Sequence, residues 1–167
     1  QEYVFRHALL REAAYLLQPD EDRILGHCLA AAWLEQASES PALVADHYER
    51  GGARASAGQW WARAAAQAFE VGSLDDALRF GARAVACGLL EPDFGKLAVV
   101  LAEARSYGHD DIGASTWAER ARESFPAGSA EWWRATQVGA NAHLRNGAPE
   151  LDALVEEMIA HFASGSA

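Results

Sequence analysis

Lysine is almost missing from this 167-residue chain: Lys96 stands alone among 14 basic side chains, the rest being arginine. A phosphate site built on several lysines is therefore excluded. Basic charge is also scarce overall, with a formal net charge of −10. Residues 1–50 carry four basic against nine acidic side chains, residues 51–100 five against five, and residues 101–167 five against ten. No third is basic, which argues against nucleic-acid binding by phosphate neutralisation and against polybasic attachment to a membrane. No apolar run approaches the ~20 residues that span a bilayer. The opening QEYVFRHALLREAAY is too charged for a signal-peptide core, so a cytoplasmic location is expected. Only two cysteines occur, Cys28 and Cys87, both inside alanine-rich stretches, where buried reduced thiols are expected rather than a disulfide framework. The chain begins at Gln1 rather than Met and ends in SGSA, as expected of a piece of a longer polypeptide.

Enzyme motifs are missing too. The sequence holds no G-x-x-x-x-G-K-[ST] or G-x-G-x-x-G phosphate loop, no H-E-x-x-H, no C-x-x-C and no G-x-S-x-G elbow. We expect no catalytic residues, no cofactor and no bound metal.

What is abundant is alanine, 37 of 167 residues, while half of the chain is hydrophobic. Alanine has the lowest helix cost, and the strand-favouring Val, Ile and Thr are scarce, so an all-α fold is expected. Breakers divide the sequence into about nine helices: 6–17, 20–36, 41–50, 55–71, 74–87, 93–107, 111–124, 129–145 and 149–163. Apolar stripes at helical spacing support them. Leu25, Cys28, Leu29, Ala32 and Trp33 form one stripe. Leu74, Ala77, Leu78, Gly81, Ala84 and Val85 form another, with Ser73 as its N-cap. Leu151, Leu154, Val155, Met158, Ile159 and Phe162 form a third. The short connections imply antiparallel neighbours.

Turn glycines at 72, 108 and 147 are 36 and 39 residues apart, a spacing that helical repeats of two helices use. The unit GQWWARAAAQAFEVGSLDDALRFGARAVACGLLEP resembles a tetratricopeptide repeat. Trp61 stands eleven residues before the turn glycine Gly72, and Ala77 and Ala84 occupy the small positions of the second helix. The unit departs from the pattern at Ala64, Ala65, Ala68 and Gly81. The resemblance implies hairpins stacked as a right-handed solenoid over residues 37–167.

Residues 1–50 carry a second resemblance. FRHALLREAAY, then Arg23, then HCLAAAWLE, then ALVADHYERGG is similar to bacterial signal-transduction ATPases of the STAND class. Its bearers are Phe5, Arg6, His7, Leu10, Arg11, Ala14, Tyr15, Arg23, His27, Ala31, Leu34, Glu35, Ala45, His47 and Tyr48; Gly26 replaces an expected Leu. In such regulators a P-loop ATPase precedes a winged-helix-like segment and then tetratricopeptide-like repeats. The resemblance implies that residues 1–36 end the winged-helix-like region, with Tyr3-Val4-Phe5 as its last strand. It also implies that any ATPase, kinase, cyclase or transcriptional output lies outside this chain.

Three sets of residues invite a chemical reading. His7, His27 and His47 are spaced by 20, so their rings could stack at one end of successive helices. None has a second metal ligand at i+3 or i+4, and we read all six histidines as structural or solvent-facing. His109-Asp110-Asp111 and Asp75-Asp76 read as turns, with Asp110 or Asp111 capping the next helix. In the pairs Trp60-Trp61 and Trp132-Trp133, neighbours diverge by about 100° on a helix, so both cannot enter one core stripe. We expect Trp61 and Trp133 inside, leaving Trp60 and Trp132 between hairpins or on the surface as candidate binding anchors; the alternative, which we favour, is that both are largely covered by neighbouring hairpins.

In a superhelical array the first helix of each hairpin lines the concave face. That presents Gln59, Ala62, Arg63, Ala66, Gln67 and Glu70, a small and polar set suited to a peptide or a packed helix. The function expected is a non-catalytic interaction module, binding a protein or peptide or its own parent's ATPase region. The alternative is a helical sensor that binds a small-molecule inducer and relays it to that ATPase. The acidic balance leads us to expect a partner with a basic or Arg-bearing surface.

Overall fold

The computed structural model describes residues 7–164, and among these the chain is all-helical with no strand. Among the described residues nine helices follow one another: α1 (Ala8–Leu16), α2 (Asp20–Gln36), α3 (Pro41–Arg50), α4 (Arg54–Glu70), α5 (Leu74–Ala86), α6 (Asp93–Tyr107), α7 (Asp111–Ser124), α8 (Ala130–Asn146) and α9 (Glu150–Ser164). The Tyr3–Phe5 strand implied by the resemblance lies outside the described residues. No helix among the described residues is long and apolar enough to cross a membrane.

Local chemistry explains several helix ends. Pro41 opens α3 where its missing N–H is not needed. Asp110 caps α7, its carboxylate accepting from the Gly113 N–H at 2.9 Å, and Ser129 caps α8 by accepting from the Trp132 N–H at 3.2 Å. α8 stops at Gly147, whose φ of 67° is left-handed and suits glycine. Ser73 departs from its expected role. It sits at the N-cap position of α5, but its hydroxyl donates to the Asp76 carboxylate at 3.0 Å rather than accepting a backbone N–H.

From α2 onward each helix packs on the next, and α4 also touches α6, which in turn touches α8. The interior is built mostly of alanines with almost no exposure, around a few large rings. One core cluster centres on Trp61, Ala64, Ala65, Ala84, Leu97 and Leu101; a second joins Ala98, Val99, Ala121 and Ala135 beneath Phe94, Trp117 and Phe125. Alanine faces let helix backbones approach closely, so few bulky side chains are needed to fill the gap. Both cysteines are unpaired, Cys87 buried and Cys28 half-buried with its thiol donating to the Gly51 carbonyl at 3.2 Å. Burial pushes the Cys87 thiol above its ordinary range.

The α5 stripe faces inward as expected: Ala77, Gly81 and Ala84 are buried and Leu74, Leu78 and Val85 half-buried. The terminal stripes do not. In α2 the covered residues are Ala31 and Leu34, which turn with His27 and Cys28 toward α3, while Leu25, Leu29 and Trp33 are exposed. In α9 only Leu154 is buried, Leu151 and Met158 are half-buried, and Val155 and Ile159 are exposed. Each of these helices is packed closely on one side only, α2 on α3 and α9 on α8, so it covers only the part of its apolar surface that meets that neighbour.

Candidate functional site

The residues on α4 alternate between two faces. Ala57, Gly58, Trp61, Ala64, Ala65 and Ala68 are buried, which leaves Gln59, Arg63, Gln67 and Glu70 exposed on the far side. α6 and α8 repeat this division. Leu97, Ala98, Leu101, Ala102 and Ala104 are buried on α6, and Lys96 and Tyr107 are exposed. On α8, Trp132, Ala135, Thr136, Gly139 and Ala142 are buried, and Glu131, Arg134 and Gln137 are exposed.

Because α4, α6 and α8 are neighbours, their outward residues line one trough. Its largest hollow, about 840 Å³, is floored by Ala66, Phe69, Val99 and Val100 and rimmed by Glu70, Lys96, Glu131 and Arg134. A hollow of about 170 Å³ adjoins it between Gln59, Arg63, Asp93 and Leu97, sharing Ala66, Lys96 and Val100 with the first. A third, of about 490 Å³, begins at the shared Tyr107 and runs past Gln137 to Arg145.

The charges around the trough fall into two groups. Some are engaged in holding helices together. Arg134 on α8 donates through Nε and Nη2 to the two carboxylate oxygens of Glu103 on α6, both at 2.6 Å, and this pairing raises the guanidinium's pKa. Arg145 donates to Asp111 at 2.6 and 2.8 Å and to the Ser106 hydroxyl at 2.8 Å. The others are uncommitted. Arg63 lies over the Trp60 ring, 4.4 Å from its centre, and has no ion pair among the described residues. Glu70 and Glu131 likewise have none, and Lys96 holds Asp93 only at 3.6 Å.

The sequence-derived candidates scatter around this geometry. Gln59 and Arg63 line the small hollow and Glu70 the large one, whereas Gln67 is exposed but lines none of the three. Trp60 is half-buried at the margin of the central core. Trp132 is corrected: it is buried, its ring edge-to-face with Trp133 at 4.8 Å and close to His161 at 5.1 Å, with the Arg122 guanidinium 5.1 Å from its centre. α8 presents Trp132, Ala135, Thr136 and Gly139 inward at i, i+3, i+4 and i+7, one position earlier than an analogy with Trp61 requires. Trp133, expected inside, is half-buried and lines an apolar cleft of about 400 Å³ with Met158, Ile159 and Phe162. Lys96, Val100, Tyr107, Glu131 and Arg134 were not among the expected site residues. The signal for the α6 set was the same i, i+4, i+7 recurrence on the face opposite the apolar stripe, at positions 96, 100, 103 and 107.

A second constellation joins α1, α2 and α3. Nδ1 of His27 lies 3.0 Å from Nδ1 of His47, their ring centres 5.0 Å apart, and Nε2 of His27 lies 2.8 Å from the Tyr15 hydroxyl. The even spacing thus brings two of the three histidines together, while Tyr15, not His7, continues the row. Burial lowers the His27 pKa, as do His47 and Arg50, against a smaller opposing effect of Asp46. Among the described residues no three of His, Cys, Asp and Glu converge as a metal site. The acidic turns are likewise occupied. Asp110 caps α7 and pairs with Arg105 at 2.5 Å, the Gly113 N–H and then Arg105 holding its carboxyl below the usual range. Asp76 accepts from Arg79 at 2.6 Å. No protein family, curated protein or solved structure matches this chain.

Proposed function

We propose that this chain is a non-catalytic interaction module of a larger bacterial signalling regulator, and that its trough holds a segment of a protein partner or of the parent's own ATPase region. In this reading residues 37–167 form a right-handed tetratricopeptide-like solenoid with α4, α6 and α8 as its inner helices, and residues 1–36 close a winged-helix-like segment. The contacts of α4 with α6 and of α6 with α8 support the inner assignment, since these alternate helices touch as well as their sequence neighbours.

The observation that carries the reading is continuity. The large hollow shares Ala66, Lys96 and Val100 with the small one and Tyr107 with the third, so the three make one elongated surface with an apolar floor and a polar rim. An elongated surface suits an elongated ligand. The small-molecule alternative rests on the largest hollow alone, whose 840 Å³ lies within the ~300–1,000 Å³ of ordinary ligand sites. A concentration-dependent thermal shift with a metabolite, unaffected by competing peptide, favours that alternative.

The test is affinity capture from native extract on the immobilised chain and on an Ala66→Arg variant. Ala66 is half-buried on the trough floor, so the added side chain obstructs the surface without entering the core. A protein retained by the first and lost by the second agrees with the reading. Equal retention by both contradicts it.

A further inference from the structure

The chain as a whole is strongly acidic, but its trough is not. Arg63, Lys96, Arg134 and Arg145 line it on the basic side and Glu70, Asp93, Glu103 and Glu131 on the acidic side. Arg134 and Arg145 are consumed by Glu103 and Asp111. What is left is ordered in space. Arg63 stands at the small hollow, Lys96, only loosely held by Asp93 at 3.6 Å, is shared by both hollows, and Glu70 with Glu131 stands at the large one.

We infer that the trough selects an extended, zwitterionic peptide segment: an acidic side chain at Arg63 and Lys96, a basic one at Glu70 and Glu131, and apolar residues between them. The inference rests on the trough's being the binding surface and specifies its ligand. Arg63 and Glu70 are seven residues apart on one helix face, about 10.5 Å at a 1.5 Å rise per residue. A segment extended as polyproline II rises about 3.1 Å per residue with three residues per turn, so side chains three positions apart share one face about 9.3 Å apart, and the complementary charges belong at that spacing. Ala66 and Val100 lie between the two charged ends. The 170 Å³ hollow exceeds the ~150 Å³ cavity that holds a benzene ring, so it has room for one apolar side chain. A wholly basic partner, which the net charge alone favours, meets Arg63 and Lys96 as like charges at one end.

The test uses three fluorescent peptides with Gly-Ser flanks and the cores Glu-Leu-Leu-Lys, Glu-Leu-Leu-Glu and Lys-Leu-Leu-Lys, titrated by anisotropy at low salt. The intact chain is expected to bind the mixed-charge core about tenfold more tightly than either uniform core. Glu70→Arg is expected to shift preference toward the doubly acidic core, and Arg63→Glu toward the doubly basic one. Both side chains are exposed, so neither change disturbs the core. Peptide binding that is abolished by Val100→Arg but indifferent to charge order overturns this inference and leaves the trough reading standing. Binding that ignores Val100→Arg, or no binding of any core, overturns both.

Discussion

Trp61 is 2 % exposed and Trp60 half-buried, whereas in the second pair the first ring, Trp132, is 3 % exposed and Trp133 half-buried. The chain shows that only one member of each pair can enter the core, because a 100° step separates them. It does not show which, because that depends on the rotation of α8 against α7 and α9. Truncation at Trp132 is accordingly expected to cost about 3–5 kcal/mol in urea unfolding, against about 1–2 kcal/mol at Trp60. The histidines carry a second expectation. Burial holds the folded His27 pKa below its ordinary value of 6.5, so the unfolded chain takes up its proton first. Its contribution is complete above pH 6.5 and declines as pH falls toward the folded pKa. Comparing the unfolding free energy of the intact chain with that of His27→Gln across pH 5–8 should show a steeper acid-side loss for the intact chain. Equal slopes refute this.

The helices were legible almost to the residue because their ends are marked by Pro41, Gly51-Gly52, Gly72, Gly108, Pro126 and Gly147. The outer helices were less so. The stripe of α2 was complete in sequence, yet the face it defines is exposed at Leu25, Leu29 and Trp33, since periodicity identifies an apolar face and not its partner. Glycines within helices separate two further cases. Gly26 has nothing within 4 Å of where a Cβ would stand, so Gly26→Ala should stabilise by about 0.5–1 kcal/mol through helix propensity. A Cβ on Gly95 of α6 meets the Ser124 Cβ of α7 at 2.5 Å and Phe125 Cζ at 3.1 Å. Neither contact is the end of a long flexible chain. Gly95→Ala should therefore destabilise by about 1–3 kcal/mol despite the same propensity gain, read as a lowered midpoint of thermal unfolding.

Across the molecule, cross-links between helices far apart in sequence fix the trough's walls. Arg134 ties α8 to α6 through Glu103 and Arg145 ties α8 to Asp111, while away from the trough Arg83 on α5 reaches Glu49 and Asp46 on α3 at 2.9 and 3.3 Å. Spacings of 36 and 39 residues between turn glycines made the hairpins visible, and the α4 half of the trough with them. Its α6 wall left a periodic trace at positions 96, 100, 103 and 107, but which of its charges and those of α8 are used up in pairing between helices leaves none in a single sequence. The most direct test places a photo-reactive residue at Val100, on the trough floor, or at Glu123, an exposed position of α7 away from it, and irradiates each variant in native extract. If the trough is the binding surface, a discrete protein adduct forms from position 100 and not from position 123. Adducts from position 123 alone, or equally from both, contradict it.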